Sequence, residues 1–145
     1  MTVSGLDADK NKQLYIIVCD DSAIELLALQ HLLKKTLPLE EVEVLTAKTG
    51  YQVLQQIKGI SGIEGHTVVL LMSDWKMPNM TGDELFRKVH EAYPWVKLVM
   101  VSGRSEAEFK PLLGDIPYRY LPKPVRKERL SDLIELIMIE SHLGK

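Results

Sequence analysis

The sequence predicts an α/β domain built on a doubly wound sheet of five parallel strands that carries five helices. Two observations lead there. Short runs of apolar, largely β-branched residues recur with almost no polar interruption at 14–19, 67–73 and 96–101, as in strands buried on both faces. Longer segments with apolar residues at helical spacing lie between them, and that alternation is the pattern of a parallel sheet covered on both sides. At 145 residues, 46% of them hydrophobic, the chain can bury one such core and has no second composition zone for another domain.

The elements follow in order. Residues 1–13 are polar and acidic at their start and read as a flexible tail without a basic-then-apolar leader pattern. Leu14 to Cys19 (LYIIVC) is the first strand. Ser22 to Lys35 is the first helix, with Ser22 and Glu25 at capping-box spacing, where hydroxyl and glutamate each satisfy a backbone N–H that the first turn leaves unpaired. Val42 to Ala47 alternates in character, as an edge strand does. Gly50 to Lys58 is the second helix, and the glycine-rich Gly59 to His66 reads as a flexible loop.

Thr67 to Ser73 is the third strand and Asp83 to Ala92 the third helix, opened by a second box at Thr81 and Glu84. Val96 to Val101 is the fourth strand. The fourth helix, Ser105 to Leu113, has a third box at Ser105 and Glu108. Its Pro111 lacks an N–H and crowds the preceding turn, which predicts a short, kinked or irregular helix. A brief fifth strand covers Tyr118 to Leu121. In the last helix, Arg126 to Ser141, residues Leu130, Leu133, Ile134, Ile137 and Met138 form one stripe to dock on the sheet, and 142–145 form a short tail.

Composition excludes several classes. Cys19 is the single cysteine, so one chain offers neither a disulfide nor a cysteine zinc site, and a reducing cytoplasm is the expected compartment. His31, His66, His90 and His142 show no metal spacing. A formal net charge of −2 supplies no electrostatic reason to bind nucleic acid. No apolar run approaches the roughly 20 residues of a membrane helix, so no membrane role is expected.

In an open parallel sheet, ligands sit beyond the carboxyl ends of the strands. There the first strand ends in Asp20 and Asp21, the third in Asp74, the fourth in Ser102 and Gly103, and the fifth in Lys123 after Pro122. Neither a dinucleotide glycine fingerprint nor a Walker lysine loop is present. Three carboxylates held together repel one another and call for a cation, and a few hard oxygen ligands with room for water suit Mg²⁺. A carboxylate beside Mg²⁺ and a lysine can attack phosphorus, giving an acyl phosphate whose oxygens Ser102 could then hydrogen-bond.

These residues resemble a known family. Asp20-Asp21, the segment Asp74-Trp-Lys-Met-Pro-Asn-Met-Thr-Gly82, the pair Ser102-Gly103 and Tyr120-Leu-Pro-Lys123-Pro124 together resemble the receiver domains of two-component response regulators, from about Leu14 to Ser141. The resemblance implies the flavodoxin-like (β/α)5 receiver fold. It implies Asp74 as phosphoacceptor, Asp21 as direct Mg²⁺ ligand, Asp20 as a ligand through metal-bound water, and the Lys76 backbone carbonyl as the remaining protein ligand. By the same resemblance Lys123 pairs with the phosphoryl group, the Lys123–Pro124 peptide is cis, and Tyr120 is the aromatic switch that swings inward when Ser102 turns to the phosphate. Lys76 and Arg104 fall at the two variable positions that tune dephosphorylation, and two long basic chains there suggest a long-lived phosphoryl group. Pro111 puts the usual dimer surface in question, and the 59–66 loop is longer than such domains commonly show.

The expected function is therefore a phosphorylatable receiver that takes a phosphoryl group from a histidine kinase or phosphotransfer protein. It then signals to a downstream protein or output domain through the face of helix four, strand five and helix five. It is expected not to be an enzyme beyond its own phosphotransfer and slow autodephosphorylation. The alternative is a pseudo-receiver that binds a partner without phosphorylation, against which the intact Asp20, Asp21, Asp74, Ser102 and Lys123 count. A haloacid-dehalogenase-type phosphohydrolase needs an aspartate two residues after its nucleophile, where this chain has Lys76. No output domain is expected after Ser141, so the chain reads either as a stand-alone regulator or as a receiver cut from a longer one.

Overall fold

A computed structural model describes residues 2–3, 6–7, 12–38, 40–60 and 67–143. The main sheet has five parallel strands: β1 (Leu14–Cys19), β2 (Val42–Ala47), β3 (Val68–Ser73), β4 (Lys97–Ser102) and β5 (Arg119–Pro122). Their order across the sheet is β2-β1-β3-β4-β5, which puts the alternating β2 at an edge, as its sequence predicts. The helices are α1 (Ala23–Thr36), α2 (Gly50–Ile60), α3 (Gly82–Ala92), α4 (Glu106–Leu113) and α5 (Lys127–Leu143). Within the N-terminal segment, Thr2–Val3 pairs antiparallel with Leu6–Asp7. Lys12 and Gln13 extend the start of β1 between its two neighbours, where the Gln13 N–H donates to the Glu41 carbonyl at 2.8 Å and the Thr67 hydroxyl donates to the Lys12 carbonyl at 3.2 Å. Residues 61–66 of the glycine-rich loop, and 144–145 of the tail, lie outside the described residues.

The alternation of side chains along each strand divides the interior in two. Tyr15, Ile17, Cys19, Val69, Leu71, Leu98 and Met100 pack on one face with residues of α2, α3 and α4, among them Val53, Leu85, Phe86 and Phe109. Leu14, Ile16, Val18, Leu70, Met72, Val99 and Val101 face the other way, onto Leu26, Leu29 and Leu33 of α1 and Leu130, Ile134 and Ile137 of α5. The C-terminal stripe thus docks as its spacing predicts, with Leu133 and Met138 half-buried at its margin. Each fully buried leucine or isoleucine in these layers contributes about 1.5–3 kcal/mol relative to exposure.

One expectation needs correction, and a second holds in part. Only the Thr81 box is reciprocal, with the Thr81 N–H donating to Glu84 Oε1 at 2.9 Å. Ser22 accepts from the Glu25 N–H at 3.4 Å and Ser105 from the Ala107 N–H at 3.2 Å, but the two glutamates bind cations instead, Glu25 at Lys123 and Glu108 at Arg104. An ammonium or guanidinium in reach outbids a neutral backbone N–H for a carboxylate. The second concerns Pro111: α4 is short, at eight residues, as expected, but it is not broken at the proline. The helix runs on through Pro111 even though the proline ring offers no N–H to the carbonyl four residues earlier. Gly114, at φ 57°, then ends it in a conformation that favours glycine.

No helix among the described residues is long and apolar enough to cross a membrane.

Candidate functional site

Strand register brings the chemistry to one edge. Cys19 is level with both Ala47 and Ser73, and Ser102 with Pro122, so the residues just beyond them emerge side by side. The ladder continues one residue further on each side: the Asp20 N–H donates to the Ala47 carbonyl at 3.1 Å, the Asp74 N–H to Cys19 at 2.9 Å and the Lys123 N–H to Ser102 at 3.0 Å. These backbone bonds fix where the side chains start.

The three aspartates converge. Asp20, Asp21 and Asp74 each present a carboxylate oxygen, and the three oxygens lie within 4.8 Å of one another. Asp20 is buried, Asp74 half-buried and Asp21 exposed, so the cluster opens to solvent on the Asp21 side. Asp20 also accepts from the Ser22 N–H at 2.9 Å, which orients it at the start of α1. The Lys123 ammonium closes the cluster from β5, 3.1 Å from Asp20 and 3.3 Å from Asp74, and it also contacts Glu25.

The electrostatics follow from this geometry. Burial first, and then the neighbouring Asp20, push the Asp74 carboxyl above the ordinary aspartate value against the pull of Lys123. Burial alone would lower the Lys123 pKa, but Glu25, Asp20 and Asp74 outweigh it and hold the ammonium charged. Cys19, one residue before the cluster, has its thiol pushed up to about 12, by burial first and by the nearby carboxylates as well. It is protonated at neutral pH and is no nucleophile.

Ser102 and Tyr120 sit beside the cluster, with their hydrogen bonds directed to the β4–α4 loop. Buried Ser102 accepts from the Arg104 N–H at 3.0 Å, so its hydroxyl serves its own loop here. The Tyr120 hydroxyl donates to the Arg104 carbonyl at 2.8 Å and its ring leans on Phe109, centroids 5.4 Å apart. The Lys123–Pro124 peptide is cis. Lys76 and Arg104 both make contacts close to their own positions in the chain. The Lys76 ammonium lies 4.3 Å over the Trp75 ring, and Arg104 pairs with Glu108 at 3.2 Å.

Three further residues shape the site in roles that their reading from sequence did not assign. Glu25 completes the carboxylate shell of Lys123, whereas its spacing after Ser22 reads only as a capping box. Asp83 is buried and accepts from the Trp75 indole N–H at 2.9 Å, a pairing that no local spacing announces. Gly82 lets α3 approach the backbone at Asp74: a Cβ there would lie 2.5 Å from the Asp74 carbonyl oxygen. Beside the cluster, a groove of about 520 Å³ runs between α1 and the start of α5, lined largely by apolar residues such as Leu29, Met72 and Val125.

Comparison with known proteins agrees with this geometry. The family described as response regulator receiver domain matches residues 16–135. The two-component response regulator ARR15 of Arabidopsis thaliana is 27% identical over 93% of this chain and 68% of its own length. A chemotaxis protein CheY homolog of Campylobacter jejuni is 30% identical over 82% of this chain and 91% of its own. Against the much longer sensor kinase CckA of Brucella abortus, 32% identical over 59% of this chain, the match spans only 10% of the relative's length. Among solved structures, a CheY-like response regulator receiver domain protein from Methanospirillum hungatei superposes with a TM-score of 0.72 at 26% identity, covering 92% of this chain and all of that one. With the family matched across strands and helices alike and the acidic cluster at its sheet edge, this chain belongs to the response regulator receiver domains.

Proposed function

We propose that Asp74 accepts a phosphoryl group from a histidine kinase or phosphotransfer protein, and that the modification is read at the face of α4, β5 and α5. The observation that carries this reading is the placement of one ammonium, Lys123, within 3.3 Å of two carboxylates in a cluster of three. A Asp74 carboxylate oxygen attacks phosphorus as the bond from phosphorus to the donor's imidazole nitrogen breaks, and that nitrogen keeps the bonding pair. Lys123 stays charged throughout and meets the phosphoryl oxygens, releasing Asp74 from its ion pair as it does so.

The cluster fits Mg²⁺: its donors are all hard oxygens, and three carboxylates outnumber the one ammonium among them. Asp20, Asp21, Asp74 and the Lys76 carbonyl would hold it, and when bound it supplies positive charge opposite the transferring oxygens. Once phosphorylated, Asp74 offers acceptors to the Ser102 hydroxyl, which then leaves the Arg104 N–H. The loop carbonyls that Tyr120 holds shift with it, and a bias of a few kcal/mol suffices to repack the face. The chain acts as a switch with no turnover beyond its own phosphotransfer and slow hydrolysis. Buried, unreactive Cys19 accords with work in the cytoplasm.

Intact mass after incubation with acetyl phosphate tests the reading. One phosphoryl group is expected on the wild type with Mg²⁺ and none without it, nor on Asp74→Asn; a gain that survives the substitution would place the chemistry elsewhere. Followed over time, Lys76→Ala and Arg104→Ala are expected to lose the group faster than wild type if these chains screen phosphorus from water. Equal decay would mean that their contacts with Trp75 and Glu108 are all they provide.

A further inference from the structure

Trp75, the residue after the phosphoacceptor, is held from three sides. The Gly82 N–H donates to its carbonyl at 2.7 Å, and Asp83 takes its indole N–H at 2.9 Å, so consecutive residues of the first turn of α3 fix both its backbone and its ring. The third side is Phe109 of α4, whose ring centroid lies 5.4 Å from that of Trp75 at an interplanar angle of 58°. Phe109 has no exposed surface, and on its other sides it meets Tyr120 at 5.4 Å and Tyr118 at 6.1 Å. The Tyr118 hydroxyl in turn donates to Glu106 at 2.6 Å, at the start of the same helix.

We propose that Asp83 and Phe109 are positioning residues that make the Trp75 ring the mechanical link between the phosphoacceptor loop and the Tyr120 ring. The inference rests on the reading of Asp74 as phosphoacceptor and adds to it a route by which that site and the switch face are joined. The physical basis is packing. A buried carboxylate is unfavourable unless it is hydrogen-bonded, so Asp83 keeps its indole partner, and the indole cannot turn without losing that bond. Closely packed rings likewise cannot be displaced singly, because a gap of even half an ångström forfeits contact energy. A shift of the backbone at Asp74 therefore reaches Phe109 through Trp75, and Phe109 must then reseat Tyr120, Tyr118 or both.

Trp75 reports on itself once the half-exposed Trp95, the other tryptophan, is replaced by Phe. In that background, without phosphorylation, Tyr120→Ala is expected to change Trp75 emission, and Phe109→Leu to remove most of the effect of Tyr120→Ala. If Tyr120→Ala changes the emission equally with Leu at 109, the link is overturned, whatever Asp74 does. With acetyl phosphate and Mg²⁺, Asp83→Ala is expected to slow phosphoryl uptake about fivefold, while Asp83→Asn, which keeps an acceptor for the indole, stays within about twofold of the parent. Asp83→Ala at the parental rate would overturn its positioning role. A parent protein that gains no mass would instead count against the phosphoacceptor reading, and the emission experiment would still decide the link.

Discussion

Lys123→Met is expected to lower the rate of phosphoryl uptake from acetyl phosphate by about 10²- to 10³-fold, the size of effect that follows loss of a preorganised charge at a developing anion. Methionine keeps length and apolar stem and removes only the ammonium. The stability change has a sign that pH reveals. Without Lys123, Asp20 and Asp74 face one another unscreened, and the variant is expected to lose about 2 kcal/mol near neutral pH, since breaking a partly buried ion pair strands its partners. The native Asp74 pKa is already raised, by burial first, and loss of the ammonium raises it further. A carboxyl whose native pKa exceeds its unfolded one destabilises the fold above that native pKa, and the penalty fades as pH falls through it. The gap between variant and wild type should therefore narrow on acidification, as urea denaturation at several pH values would read. Uptake at the wild-type rate would mean that Lys123 serves only to neutralise the resting cluster.

Gly82→Ala should produce the largest loss of stability for the smallest change in the chain. Its Cβ would lie 2.5 Å from the Asp74 carbonyl oxygen and 3.0 Å from Trp75 Cα, and both neighbours are backbone that cannot rotate aside. Either α3 withdraws and gives up the Gly82 N–H bond to Trp75, or the loop that begins at Asp74 is displaced. A loss of about 3 kcal/mol follows from overpacking of this kind. With Asp74 as the proposed nucleophile, phosphoryl uptake should fall at least about tenfold as well. A chemical melt and the mass assay together separate the outcomes: a stable, active Gly82→Ala would show that the first turn of α3 can retreat without moving Asp74.

Much of this was legible in the residues because it depends on period and place. Wholly apolar runs such as LYIIVC mark strands covered on both faces, and a charged residue immediately after such a run must lie at the sheet edge. Asp20, Asp21, Asp74 and Lys123 are therefore located by the same pattern that locates the strands. What the sequence concealed depends on side-chain competition across long separations. Glu25 fits a capping box by spacing, and only the arrival of Lys123 from a strand 98 residues later, as their numbers show, redirects its carboxylate. Asp83 reads as an ordinary acid in a helix's first turn, where the helix dipole favours it, until the fold lays the Trp75 indole against it. Gly82 is unremarkable within its segment because close backbone approach leaves no trace in local composition.

The division of the interior by the sheet bears on how such a chain can change over generations. Neighbouring residues along one strand belong to different layers, with α1 and α5 on one side and α2, α3 and α4 on the other. Substitutions in the two layers share few contacts, so their effects on stability should sum. The α1 side, whose Ile24 and Leu27 are exposed, can drift while the Phe109 layer stays as it is. Divergence on one side of the sheet then need not disturb the packing of the other.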